Sequence, residues 1–204
     1  MGESFFRLEA FDASDVTRVT TLSDHMLRAW RQRGFLATKS VPARFNAFEI
    51  AEIWVLKVLT DAGIGPTTGQ QAAKICALSI CWFALARCDA FNGAEFGNLA
   101  QSVARVDRLR RQLFQRELAR HLGEDYADAN LFRRIEPSRY LVWRPGGAPA
   151  WYPSVDAALD RYDETDPRSL CATVVLDLAA LGFTLAERAG RPLVHVETGA
   201  RDDR

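Results

Sequence analysis

Long apolar runs are missing from this chain. Its most apolar stretch, ICALSICWFALA, is bracketed by Lys74 and Arg87, whereas a bilayer crossing takes about 20 predominantly apolar residues. No membrane span or membrane partner is therefore expected. The opening residues MGESFFRLEAFD carry acids where a secretory signal needs a basic start and an apolar stretch, so secretion is not expected and a cytoplasmic location is. Histidine is sparse: His25, His121 and His195 are scattered, with no HExxH, no Gly-x-Ser-x-Gly and no glycine-rich phosphate loop. Nothing here calls for an enzyme.

Cysteine is nearly as scarce. Cys76, Cys81, Cys88 and Cys171 form no CxxC pair, and the first three lie in one apolar run with no histidine at ligand spacing. They read as reduced, buried structural residues, with no metal and no cofactor expected. The acids Asp156, Asp160, Asp163, Glu164 and Asp166 read as an exposed connector. A net charge is also lacking, since 26 basic residues balance 26 acidic ones, so an argument for a polyanionic partner has to come from local clustering.

What the chain does have is enough apolar content, 48% of 204 residues, to bury a real core. Asp12 or Ser14 can cap a short helix carrying Val16 and Val19, and Ser23 can cap DHMLRAWRQR, with Met26, Leu27 and Trp30 directed inward and Gly34 closing it. Phe35-Leu36 and Arg44-Phe45 flank a polar, proline-containing middle that suits a small hairpin or extended loop. Asn46 with Glu49 makes a capping box for a helix that Gly63 ends. An almost wholly apolar helix follows over residues 70 to 90. A third long helix, residues 97 to 122, has Leu99, Val103, Val106 and Leu113 on one stripe and Arg105, Arg108, Arg110, Arg111, Arg116 and Arg120 among its charges; no clean heptad runs through it.

Near residue 135 the character changes. RYLVWR and AWYPS predict a hairpin across PGGAP, whose Tyr140, Trp143, Trp151 and Tyr152 are core candidates. SVDAALDRY predicts a short helix, LCATVVL a buried strand, DLAALGFTLAERAG a helix capped by Asp177 and ended by Gly190, and RPLVHVE a closing strand. GARDDR reads as a loose tail. The fold class expected is mainly α with a small α+β part, divided as residues 10–65, 66–135 and 136–199.

Between Ser23 and Asn46, Arg28, Arg31, Arg33, Lys39 and Arg44 surround a single acid, Asp24. The order helix, turn, helix, hairpin, capped helix is that of a winged helix-turn-helix. Ser23, Leu27-Arg28-Ala29-Trp30, Gly34-Phe35-Leu36, Arg44-Phe45-Asn46 and Ala62-Gly63-Ile64 match, in order and spacing, the pattern of one family. Over about fifty residues the chain resembles the DNA-binding domain of MerR-type transcriptional regulators.

The resemblance implies that Asp24, His25 and Met26 face base edges in a major groove, that Arg28 and Arg31 hold phosphates or a guanine, and that Lys39 and Arg44 belong to a wing on the flanking backbone. It also implies a homodimer on a two-fold-related site of double-stranded DNA, with the region after the DNA-binding domain joining protomers or receiving an effector. The chemistry agrees, because a helix fits the major groove and the arginine fork suits guanine or phosphate. Trp30, Phe45 and Trp54 are expected in the core. Two other readings compete: a protein-interaction adaptor that keeps a helix-turn-helix-like fold without using DNA, and an excisionase-like architectural DNA-binding protein.

Overall fold

A computed structural model describes residues 4–37, 43–92, 99–122, 137–144, 147–159 and 172–198. The chain is mainly helical, with two small three-stranded sheets.

Local capping sets the first helices. The Asp12 carboxylate accepts from the Asp15 amide at 3.0 Å while the Asp15 carboxylate accepts from the Asp12 amide at 3.2 Å, opening α1 (Ala13–Thr20). Thr21 ends α1 in the left-handed region at φ 59°. Ser23 then accepts from the Met26 amide at 3.2 Å and opens α2 (Asp24–Gln32), which Gly34 leaves at φ 76°. The capping box of Asn46 and Glu49, at 3.0 and 2.8 Å, opens α3 (Ala47–Asp61). Pro66, preset for a first helical turn, opens α4 (Pro66–Ala84).

Helices α3 and α4 form the centre of the core. Ile50, Ile53, Leu56 and Leu59 of α3 are buried, as are Ala73, Cys76, Ile80 and Cys81 of α4. The two helices approach closely at Gly69, where an added Cβ would lie 3.2 Å from a Leu59 methyl. A short 3-10 turn, Cys88–Ala90, leads into β2 (Phe91–Asn92).

Helix α5 (Leu99–Leu122) lays Val106, Leu109, Leu113, Phe114 and Leu118 against this core. The expected stripe is corrected at one end. Val103 is 60% exposed, because the buried line begins a turn later, where Phe114 meets Trp82 edge to face at 5.3 Å and the Arg110 guanidinium stacks 3.9 Å from the Trp82 ring centre.

β3 (Tyr140–Trp143) pairs antiparallel with β4 (Ala150–Tyr152), the hairpin expected, and on its other edge with β5 (Val174–Asp177). A short helix, α6 (Val155–Leu159), follows the hairpin. Trp143 and Tyr152 are buried, Tyr140 and Trp151 half-buried. Asp177 accepts from the Ala179 and Ala180 amides, both at 3.0 Å, and so caps α7 (Leu178–Ala189). Helix α7 crosses α4 at Gly182, where a Cβ would stand 2.5 Å from the Ile80 carbonyl oxygen.

The closing strand, β6 (Val194–Thr198), is central to the other sheet. It pairs antiparallel with β1 (Ser4–Leu8) and parallel with β2. β1 was not expected from the sequence. The middle of the small hairpin or extended loop expected between Phe35-Leu36 and Arg44-Phe45, residues 38–42, lies outside the described residues, and the described ends do not pair with each other. Phe45 instead bridges to Phe11 through two backbone hydrogen bonds of 2.8 Å, and Phe35 donates to the Trp30 carbonyl in the helix-ending turn.

One apolar cluster draws on residues from Phe11 to Val194, so the core runs across the boundaries at 65 and 135. Cys171, the acidic stretch 160–166 and the tail GARDDR lie outside the described residues.

Candidate nucleic-acid interface

The face in question is built on α1, a three-residue turn and α2. Leu22, Leu27 and Trp30 are buried and fix α2 to the core. The other side of α2 is thereby turned outward: Asp24, His25, Met26 and Arg28 are all exposed, Met26 at 39% although it is apolar. Met26 was expected inward with Leu27 and Trp30; the Ser23 cap starts the helix so that the inward pair is Leu27 and Trp30 alone.

The charges on this face differ in availability. Thr17 of α1 donates to one Asp24 oxygen at 3.0 Å, and Arg28 stands 3.9 Å from the other. Asp24 is thus held against α1 and draws Arg28 along α2, although Arg28 keeps 75% of its side chain in solvent. Arg31 is half-buried, which directs it less outward than expected. Arg44 is exposed beside the Phe45–Phe11 bridge and exerts a weak pull on Asp12. The Asp12 carboxyl is held below its ordinary value chiefly by the Ser14 hydroxyl and then by the Asp15 amide. Lys39 lies outside the described residues.

Arg33 belongs with this set; the sequence counts it in the basic cluster but assigns it no contact. It is exposed at the C-terminal cap of α2 and makes no ion pair or hydrogen bond through its side chain among the described residues. The signal was present in the charge count, but no motif position drew attention to it.

A brace from the far end of the chain was also missed. Arg191, just after α7, donates to Asp15 at 2.6 Å, pairs with Glu9 at 3.4 Å and lies over the Phe11 ring at 4.5 Å. Arg188 donates to the Val19 carbonyl at 2.9 Å, and Arg18 returns hydrogen bonds to the Arg188 and Ala189 carbonyls at the end of α7. Glu9 also pairs with His195 of β6. Contacts spanning some 170 residues of sequence hold α1, and no local pattern encodes them. Burial is the largest single influence on Asp15 and raises its pKa. The hydrogen bond from Arg18, the Asp12 amide and the charge of Arg191 together outweigh it, so the carboxyl ends below its ordinary value.

No groups of three or more His, Cys, Asp or Glu that could hold a metal ion occur among the described residues. Cys76 and Cys81 are buried thiols whose ionisation burial disfavours, Cys76 being pushed up to about 12. No helix among the described residues is long and apolar enough to cross a membrane. No protein-family model matches the chain, and neither a curated protein nor a solved structure matches it.

Proposed function

We propose that the chain is a sequence-specific DNA-binding regulator that acts as a cytoplasmic homodimer, with α2 in the major groove and the α2–α3 connection on the adjacent backbone in the manner of a MerR-like winged helix. The observation that carries this reading is the outward face of α2. His25, Met26 and Arg28 stand exposed at its N-terminal end, while Leu27 and Trp30 lock the opposite side into the core. A recognition helix reads bases with its first residues. Arg33 and Arg44, both exposed, stand near the two ends of the α2–α3 connection and add to the basic surface.

The roles divide by chemistry. Arg44 and Arg33 neutralise phosphates without regard to sequence. His25 and Met26 meet base edges, Met26 offering an apolar surface to a thymine methyl. Arg28 leaves Asp24 for a phosphate or a guanine, and Asp24 stays with Thr17 or accepts from a cytosine.

A salt titration of binding to a random-sequence duplex tests the electrostatic part. Arg44→Ala is expected to lower the slope of log K against log salt by about 0.9, the value of one released phosphate contact. His25→Ala is expected to leave that slope intact and change which sequence is preferred. An unchanged slope for Arg44→Ala removes Arg44 from the interface.

The adaptor reading keeps one observation on its side. Arg28 faces Asp24 and Arg31 is half-buried, so the outward cations of α2 are fewer than the composition promises. Under that reading the exposed Met26 face meets a protein, and the duplex titration shows no binding at low salt.

A further inference from the structure

Helix α5 carries six arginines against two acids, although the chain as a whole is neutral. Both acids are committed within the helix. Asp107 accepts from Arg110 at 2.6 Å and from Arg111 at 2.8 Å, and the buried Glu117 pairs with Arg116 at 3.3 Å and Arg120 at 3.2 Å. Val106, Leu109, Leu113, Phe114 and Leu118 turn into the core, and the helical period then fixes the opposite side. Arg108, Gln112, Gln115 and Arg116, at i, i+4, i+7 and i+8, form one outward row. No acid and no apolar residue belongs to it.

The two arginines of the row keep donors for a partner. Arg108 is exposed and makes no side-chain hydrogen bond or ion pair among the described residues. Arg116 donates to Glu117 and, at 3.4 Å, to the Phe6 carbonyl, yet keeps 45% of its side chain in solvent. A guanidinium has five N–H donors, so these contacts do not exhaust it. From Arg108 to Arg116 the row runs about 12 Å along the helix, the axial span of about three to four phosphates of one DNA strand.

The row also ends beside the candidate interface. Arg120, one turn beyond Arg116, lines a cleft together with Gly34, Phe35, Leu36 and Ala37 of the α2–α3 connection. Arg33 immediately precedes that stretch.

We infer that the outward row of α5 is a second phosphate surface, taking the backbone of double-stranded DNA where the duplex continues past the α2–α3 connection. The inference rests on DNA being the partner of α2 and adds to it a contact made by a different helix. Charge and composition decide the occupant. Arginine and glutamine side chains offer N–H donors that suit phosphate oxygens, whereas the centre of a protein interface calls for apolar or aromatic residues, which the row lacks. Its contribution is independent of sequence and falls with salt.

The test is a salt titration of the full chain on a random-sequence duplex, with selection of preferred sequences beside it. Arg108→Gln/Arg116→Gln is expected to lower the slope of log K against log salt by about 1.8, two phosphate contacts at about 0.9 each, and to leave the preferred sequence unchanged. Gln112→Glu removes no cation but sets a carboxylate one turn from both arginines, and is expected to weaken duplex binding about tenfold at low salt. Thermal melts show whether each variant folds. If loss of the Arg116–Glu117 pair unfolds the double variant, Arg108→Gln alone, with an expected slope change of about 0.9, carries the test beside Gln112→Glu.

Folded variants that keep the wild-type slope and affinity overturn the inference, while duplex binding by the wild type leaves the reading of α2 standing. A changed sequence preference overturns it too, since the row would then lie at base edges. So do variants that keep duplex binding but lose capture on immobilised poly-L-glutamate, which would assign the row to an acidic protein. A wild-type chain that binds no duplex at low salt overturns both readings together.

Discussion

At the scale of single residues, the turn between α1 and α2 holds the clearest strain. Thr21 is the only non-glycine residue at positive φ among those described, and a β-branched side chain there is unusual. The position is over-determined: its amide donates to the Thr17 carbonyl at 2.9 Å and its hydroxyl to the Thr20 carbonyl at 2.6 Å. Left-handed backbone costs an L-residue about 1–2 kcal/mol, and glycine's own entropic cost offsets part of that gain. Thr21→Gly is therefore expected to raise stability by about 0.5–1 kcal/mol in denaturant titration. A decrease would mean that the Thr21 hydroxyl contributes more than the backbone strain removes.

Acid sensitivity is also set by individual carboxyls. Asp15 and Asp177 both have folded pKa values below the ordinary 3.8; for Asp177, burial works upward but is outweighed by Arg139 and by the amides and charge around it. A carboxyl depressed on folding contributes stability that is present above its unfolded pKa and lost as pH falls through the folded value. The melting temperature is expected to fall as pH drops below 3.8. Asp15→Asn is expected to melt lower than wild type at neutral pH and to converge with it at the acid end. Parallel curves across the whole range would remove Asp15 from the acid response.

Among the elements, those with local signals were the legible ones. Asp12, Ser23, Asn46 and Asp177 all cap helices as expected, since a cap and its amide partner lie two or three residues apart. The hairpin of β3 and β4 was legible for the same reason. β1 was not, because SFFRL finds its partner β6 at the other end of the chain. The Phe45–Phe11 bridge escaped for a related reason: Phe45 pairs with a residue before α1 instead of one across its own loop. Val103 was misplaced because spacing gives the period of a stripe but not where the neighbouring helix begins to cover it.

The α4–α7 crossing carries a prediction of its own. An added methyl at Gly182 would meet the Ile80 carbonyl at 2.5 Å, the Phe83 Cβ at 2.8 Å and the Ala84 amide nitrogen at 2.9 Å. Two of these are backbone atoms and cannot rotate away. Gly182→Ala gains helix propensity of about 1 kcal/mol, but forcing the helices apart costs typically about 1–3 kcal/mol, and the direct conflict with backbone puts the net effect on the destabilising side. A melt at or above wild type would show that α7 shifts freely on α4.

For the whole molecule, the organising feature is that both ends of the sequence converge on α1. Arg18, Arg188 and Arg191 link α1 to the end of α7, and β6 lies beside β1. The candidate interface is therefore held by residues more than 160 positions away, which explains why the residues singled out from the sequence, of which Asp24, His25, Met26, Arg28 and Arg44 are exposed, did not include its support. Arg191→Ala is expected to cost about 1 kcal/mol of stability, the scale of a partly exposed ion pair with a ring contact. It is also expected to weaken duplex binding while leaving the preferred sequence unchanged, because Arg191 holds the face without belonging to it. A change in preferred sequence would place Arg191 at the DNA.

Recognition of a shared site by α2 is tested most directly by selection from a fragmented genomic library with purified protein, run beside an Arg28→Ala/Arg44→Ala variant at two salt concentrations. A motif with two-fold-related halves, recovered by the wild type at both salts and lost by the variant, is the expected result. Its half-site spacing would report the dimer geometry. Recovery of no sequence above the variant's background would contradict DNA recognition and leave the outward face of α2 to a protein partner.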